Sequence, residues 1–197
     1  MKTNILMTGV GGQGIILASD ILAEVALLSG FDVKKSEIHG MSQRGGSVIS
    51  HIRIGDKIFS PVISENSADI IISFEEMEFL RYLEYANPDT VLIVNKQRIY
   101  PITITTGNLD YPSNLIDKYK AIFHTIYEFN ALELASEVGN PKVTNIILLG
   151  TLSNLLPFSN DNWLDAIKNK VKNRFIDINI KAFEKGQTIV KNYQQSL

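Results

Sequence analysis

Four glycines fall within six positions in Thr8-Gly9-Val10-Gly11-Gly12-Gln13-Gly14, and the segments on either side have opposite patterns. Ahead of it, Asn4-Ile5-Leu6-Met7 is a short apolar run that reads as a buried strand. Behind it, Ile15, Ile16, Ala18, Ile21, Leu22, Val25, Ala26 and Leu28 recur at helical spacing up to Gly30. The chain is thereby committed to a strand, a tight turn and a helix, the opening of an α/β unit. Glycine suits such a turn because it accepts positive φ and lets a ligand reach the backbone without meeting a Cβ. The unpaired N–H groups of the first helical turn and the helix dipole then favour an anion, phosphate above all. The order Gly9-x-Gly11-x-x-Gly14 also satisfies the dinucleotide fingerprint in its required context. The competing reading is a glycine turn needed only for close packing of helix on strand.

Composition removes several classes of function. With 197 residues and 45% hydrophobic content the chain can bury one substantial core, so a single domain, 1–197, is expected. A net charge of −2 exerts no general pull toward nucleic acid or an anionic membrane, and neither is expected as a partner. No apolar stretch is long enough to span a bilayer, and the sequence enters its first strand without a signal peptide, so a cytoplasmic location is expected. The absence of cysteine excludes disulfides, a cysteine nucleophile and any cysteine-ligated iron–sulfur cluster on this chain.

Further along, Phe31 to Ser36 reads as a second, parallel strand reached by a right-handed crossover. Glu37 to Gly46 is polar and glycine-bearing and reads as a loop near the first glycine turn. Ser47 to Ile54 alternates with period two as a half-buried strand does. Gly55-Asp56 then turns the chain, and Lys57 to Ser60 should return as the second arm of a hairpin. Strands are expected at Ala68–Ser73, Thr90–Asn95 and Ala121–Ile126, with a short β-rich run at Ile102–Thr105 and a loop from Gly107 to Ser113. Helices are expected over Glu75–Ala86, Leu115–Tyr119, Ala131–Val138 and Val143–Leu155. Two more follow, one around Trp163 after the capping cluster Asn160-Asp161-Asn162, the other from Ile178 to Tyr193. The fold expected is an α/β/α three-layer sandwich whose mixed, mostly parallel sheet contains one antiparallel hairpin. Glu75 and Glu76 read as charges capping a helix start. Lys168, Lys170, Lys172 and Arg174 read as a solvated basic face.

The second glycine segment narrows the field. Ser36-Glu37-Ile38-His39-Gly40-Met41-Ser42-Gln43-Arg44-Gly45-Gly46-Ser47-Val48, following the first glycine loop at this distance, closely resembles the γ-type subunits of 2-oxoacid:ferredoxin oxidoreductases. Its wording is most similar to the branch formed by the β subunits of indolepyruvate:ferredoxin oxidoreductases. The resemblance continues in Val94-Asn95, Ile99-Tyr100-Pro101, Gly139-Asn140-Pro141, Asn145 and Leu148-Leu149-Gly150. It implies an oxidative decarboxylation in which a 2-oxoacid, coenzyme A and oxidised ferredoxin give an acyl-CoA, carbon dioxide and reduced ferredoxin. Thiamine diphosphate, magnesium and iron–sulfur clusters would sit on a larger partner subunit, which would pass electrons to ferredoxin. This chain would hold no cofactor alone, would be catalytically silent in isolation, and could share a coenzyme A site. Self-association of the isolated chain is also allowed for.

Within that resemblance, Gly9, Gly11, Gly12, Gln13, Gly14, Ser42, Gln43, Arg44, Gly45 and Gly46 are the candidate cofactor-contacting residues. Their backbone donors, with the Arg44 guanidinium, could cradle phosphates; Arg44 could instead pair with Glu37. Glu37, His39 and Asn145 are assigned loop-ordering or accessory roles. His51 and His124 read as structural. No residue is assigned direct catalysis, and no carboxylate or histidine spacing suggests a metal held by this chain. Two rival readings remain. A stand-alone NAD-binding reductase would use Glu37 as its ribose-binding acid; a purely structural assembly subunit would use both loops as contacts to the larger chain.

Overall fold

The structure, a computed structural model, describes residues 2–40, 46–100, 111 and 114–195. Six strands form one sheet: β1 (Lys2–Val10), β2 (Asp32–His39), β3 (Ser47–Gly55), β4 (Ile70–Ser73), β5 (Val91–Asn95) and β6 (Ile126–Phe129). Their spatial order is β2-β3-β1-β4-β5-β6. β1 pairs in parallel with β4, β4 with β5, and β5 with β6, whereas β3 lies antiparallel between β1 and β2. The sheet is therefore mixed and mostly parallel, with a single reversed strand.

Strand alternation sends side chains to two separate cores. Ile5, Met7, Val48, Ile52, Ile54, Ile72 and Ile93 face a layer of five helices. These are α1 (Ile15–Leu28), α2 (Ala131–Val138), α3 (Thr144–Ser153), α4 (Asn160–Lys170) and α5 (Ile176–Gln195). Leu6, Ile49, Ile71, Leu92 and Val94 face the other way, against Ile63, Phe79, Ala86, Ile116 and Phe123. That second covering layer is built on the 3₁₀ helices Glu78–Tyr85 and Ile116–Lys118.

In the helical layer, α3 is buried from Asn145 to Ser153. It crosses α5 at two glycines, and a Cβ on either Gly150 or Gly186 would lie 2.1 Å from a carbonyl oxygen of the opposite helix. Glycine is needed there because no larger residue allows that backbone approach. Helix ends follow local chemistry. Asn130 accepts from the Glu133 N–H to start α2, and Gly139, at φ 108°, ends it. Ser159 caps α4 by accepting from the Asn162 N–H, so residues 160–162 form its first turn and not a cap ahead of it. Lys168 and Lys170 at the end of α4 are met by Asp165 and Glu24.

Several expectations are corrected. β2 runs the same way as β1 but is not its neighbour, and it continues to His39, so Glu37–His39 are strand and not loop. The hairpin is formed by β2 and β3 across the second glycine segment. Lys57–Ser60 does not return as a strand, because both edges of β3 are already occupied by β1 and β2. That segment is held instead by Asp32, which accepts from the Ile58 N–H, and by Arg53, which donates to the carbonyls of Ser60 and Val62. The helix expected over Glu75–Ala86 is a 3₁₀ helix with a non-helical Tyr82. The late strand begins at Ile126, the residue opposite Leu92 in the ladder, and not at Ala121. His124 consequently precedes the strand and its exposed ring meets Asp89. The runs expected at Ile102–Thr105 and Gly107–Ser113 lie outside the described residues, Tyr111 excepted.

Candidate functional site

The carboxyl ends of β1, β4 and β5 and the turns that leave them carry the site. Gly14, at φ 77°, begins α1, and its carbonyl accepts the first helical bond from Ala18 at 3.0 Å. The glycines of the loop divide between the two readings of the turn. A Cβ on Gly9 would stand 2.7 Å from both Phe74 Cβ and Gln13 Oε1, and one on Gly14 would stand 2.7 Å from Asn145 Nδ2. Those two are required by packing. Gly12, at φ 101°, has nothing within 4 Å of its would-be Cβ, so its surface is open.

The two glycine segments meet. The Gly11 N–H donates to the Gly46 carbonyl at 2.9 Å, and the Gly40 N–H donates to the Ser47 carbonyl at 2.9 Å. Because β3 is antiparallel beside β1, its first residue, Ser47, lies opposite Val10, the last of β1. The fold thereby brings residues separated by a helix and a strand to one rim.

Side-chain amides fasten this rim to the rest of the sheet. Gln13 Oε1 accepts from the Val10 N–H at 2.8 Å, and its Nε2 donates to the Phe74 carbonyl at 2.7 Å and to Gln97 Oε1 at 3.3 Å. Asn95 is fully buried at the end of β5. Its Nδ2 donates to the same Phe74 carbonyl at 2.9 Å and to Gln97 Oε1 at 3.3 Å, while its Oδ1 accepts from the Ala131 N–H at the start of α2 at 2.9 Å. Asn145, buried on α3, donates to the Gly14 carbonyl at 3.2 Å.

An acidic run forms one flank, and each carboxylate is compensated. Glu75 Oε2 accepts from the Met77 and Glu78 N–H groups at 2.7 and 3.1 Å, capping the 3₁₀ helix. Its Oε1 accepts from the Ile99 N–H at 3.1 Å and from the Tyr111 hydroxyl at 2.7 Å. Burial and this bond to Glu75 push the Tyr111 phenol well above its ordinary range, so it remains a donor. Glu76 pairs with Arg98, whose guanidinium lies 4.9 Å from the Tyr111 ring centroid. Glu78 is met by Arg81 and by the Ser47 hydroxyl, at 2.9 and 2.5 Å.

A cleft of about 570 Å³ opens between these walls. It is lined by Gly11 to Gly14 and Leu17 on one side, Phe74, Gln97 and Ile99 on a second, and Leu132 and the 141–145 turn on a third. Among the described residues that line it, Lys142 is the one cation and none is a carboxylate. The first glycine loop, the segment after β5 and the stretch from Pro141 to Asn145, far apart in sequence, thus wall a single space. Its size and polarity suit a ligand with an anionic group and an apolar portion.

Of the candidate residues, Gly11, Gly12, Gln13, Gly14 and Asn145 line the cleft. Gly9 lies behind it, and Gly46 is joined to Gly11. Gln13 has both ends of its amide engaged within the protein. Glu37 pairs with Lys35 at 2.8 Å and accepts from the Ser19 hydroxyl at 3.0 Å, away from the glycine loop. His39 ends β2, and its side chain lies outside the described residues, as do Ser42, Gln43, Arg44 and Gly45 entirely. His51 is buried, accepts from the Ile63 N–H at 3.3 Å and meets the Tyr85 ring edge-on. Among the described residues there is no group of three or more metal-ligating side chains. Sequence reasoning does not single out Gln97 or Lys142, nor give Asn95 a role; the one signal was an amide closing the otherwise apolar run Val91-Leu92-Ile93-Val94-Asn95.

Comparison with known proteins gives matches along nearly the whole chain. Residues 4–189 match the pyruvate ferredoxin/flavodoxin oxidoreductase family. The chain is 37% identical to indolepyruvate oxidoreductase subunit IorB of Archaeoglobus fulgidus over 190 residues, covering 94% of each chain. It is 38% identical to the Thermococcus kodakarensis IorB over 195 residues, covering 95% of this chain and 96% of the relative. Among solved structures, a keto/oxoacid ferredoxin oxidoreductase gamma subunit from Geobacter sulfurreducens superposes with TM-score 0.67 at 26% identity, covering 93% and 95% of the two chains. A 2-oxoglutarate:ferredoxin oxidoreductase from Magnetococcus marinus, solved with 2-oxoglutarate, coenzyme A and succinyl-CoA, superposes with TM-score 0.74 at 20% identity. It covers 97% of this chain and 31% of that one.

Proposed function

This chain belongs to the pyruvate ferredoxin/flavodoxin oxidoreductase family, and from that premise we propose that it is the cluster-free subunit of a 2-oxoacid:ferredoxin oxidoreductase acting on indolepyruvate or another aryl pyruvate. The complex oxidatively decarboxylates the 2-oxoacid to an acyl-CoA and passes the electrons to ferredoxin. The close relatives named for indolepyruvate oxidoreductase support the substrate class. Thiamine diphosphate, magnesium and the clusters belong to the larger partner chain. A thiolate-ligated cluster does not fit here, because the sequence contains no cysteine.

In this reading, the cleft beside the glycine loop receives the phosphates of coenzyme A, shared with the partner subunit. The observation that carries it is the convergence of Gly11–Gly14 and Lys142 on a cleft with no carboxylate among its described lining residues, with Gly46 joined to Gly11 behind it. The first turn of α1 and the lysine favour an anion there, the Gly11 and Gln13 N–H groups being engaged by Gly46 and Val10, and Gly12 leaves its approach open. A coenzyme A-bound neighbour of the same fold agrees in ligand class. Arg44, which stands between Gly40 and Gly46 in the sequence, is proposed to add a bidentate phosphate or interface contact.

The NAD-reductase alternative fits less well. A ribose-binding acid should end the strand beside β1, but β3 intervenes, setting β2 about 10 Å from β1. Glu37 is also engaged by Lys35 and Ser19.

Hydrogen exchange of residues 9–17 tests the proposal in the complex reconstituted with its larger subunit. Added coenzyme A should slow exchange there, and NADH should not. An unchanged pattern with coenzyme A, beside turnover that requires it, would assign the ligand wholly to the partner and leave this chain an assembly subunit.

A further inference from the structure

We propose that Asn95 is a positioning residue for the coenzyme A cleft, acting through two of its walls without lining it; this rests on the function proposed above. No other described side chain ties together the exit of β4, the segment after β5 and the start of α2, at Phe74, Gln97 and Ala131. Phe74, Gln97 and α2's Leu132 are cleft-lining residues, and Gln13, the fourth participant, carries the glycine loop. The chemistry is specific to an amide. Nδ2 must donate twice while Oδ1 accepts once, and Asn95 is fully buried, so no water competes. The Phe74 carbonyl is shared by Asn95 and Gln13, so the two amides hold each other's geometry through one acceptor. Loss of one donor lets the Phe74 turn shift and with it the loop that Gln13 suspends. Small displacements of groups that hold a ligand cost affinity steeply.

Asn95→Asp keeps the acceptor for Ala131 but turns a carboxylate oxygen toward the Phe74 carbonyl, which cannot turn away. Gln97→Ala, on a half-exposed cleft wall, removes the acceptor both amides share and disturbs the core less. Both are made in the complete reconstituted complex, and KM for coenzyme A, KM for the 2-oxoacid and kcat are measured by dye reduction. Gly150→Ala, at the distant helix crossing, serves as a control for loss of stability alone. The expected result is a KM for coenzyme A raised about tenfold in Asn95→Asp and about threefold in Gln97→Ala, and in Asn95→Asp a kcat at saturating coenzyme A and a KM for the 2-oxoacid within about twofold of the parent. If Asn95→Asp does not assemble, Asn95→Ser, which keeps one hydroxyl donor at the same position, decides in its place. A KM for coenzyme A within about twofold of the parent in the variants that assemble, whatever their thermal stability, would overturn the inference and leave Asn95 a satisfied core amide. A parent complex that turns over without coenzyme A would overturn the function itself, a result read before any variant is made.

Discussion

Single residues in the glycine loop divide their work, and substitution separates the roles. Gly9→Ala drives a Cβ into Phe74 Cβ and Gln13 Oε1, each at 2.7 Å. It should lower unfolding free energy by about 2 kcal/mol, read as a shift in denaturation midpoint at constant slope. Gly12→Ala meets no atom, so only its backbone strain at φ 101° is added, about 1 kcal/mol. Equal costs for the two would show that packing does not distinguish them. His51 supplies a pH-dependent element of stability. Burial lowers its imidazole below the ordinary value of 6.5. The folded state therefore favours the neutral ring, and the stabilisation is complete above about pH 6.5. It is lost as pH falls below that, because the unfolded chain takes up a proton that the folded chain refuses. His51→Asn keeps an acceptor near the Ile63 N–H and removes the titration. Its thermal midpoint should fall less steeply between about pH 6.5 and 5 than that of the parent, and parallel curves would refute the assignment.

At the scale of elements, the α3–α5 crossing is the most constrained contact described. Gly150→Ala and Gly186→Ala each place a Cβ 2.1 Å from a backbone oxygen, so the helices must separate. Each should cost about 3 kcal/mol in chemical denaturation. The double variant should cost clearly less than the sum, since one separation relieves both clashes; strict additivity would mean that the crossing does not move as a unit. Element reading from sequence succeeded where caps bound a segment: Ala131–Val138 lies between the Asn130 cap and Gly139, and was legible to the residue. It failed where local pattern was compatible with more than one partner. Over eight residues, the i and i+3 spacing of 78–85 fits a 3₁₀ helix as well as an α-helix. Lys57–Ser60 had the turn signal of a hairpin arm, yet pairing needs a free edge and β3 had none.

For the whole molecule, the chain supplies a rim and a cleft but no described metal cluster and no cysteine. The isolated protein, given a 2-oxoacid, thiamine diphosphate, magnesium and coenzyme A, should reduce no dye; adding the larger subunit should restore reduction. Turnover by this chain alone would overturn the division of labour. Arg44→Ala in that complex should raise KM for coenzyme A or weaken subunit association, and unchanged values of both would remove Arg44 from the site.

Glycine spacing after an apolar run, an absence of cysteine and helix-period apolar residues determined the α/β class, the strand–turn–helix opening and the exclusion of cysteine-ligated clusters on this chain. These depend on local sterics and on residue chemistry, which act over a few positions and are written in them. The insertion of β3 between β1 and β2, the closure of Gly11 on Gly46, and the meeting of Gln13, Phe74, Asn95 and Gln97 were decided by tertiary structure alone. Those contacts join residues many positions apart, and which strand edge remains free to receive another is known only once the whole sheet has formed.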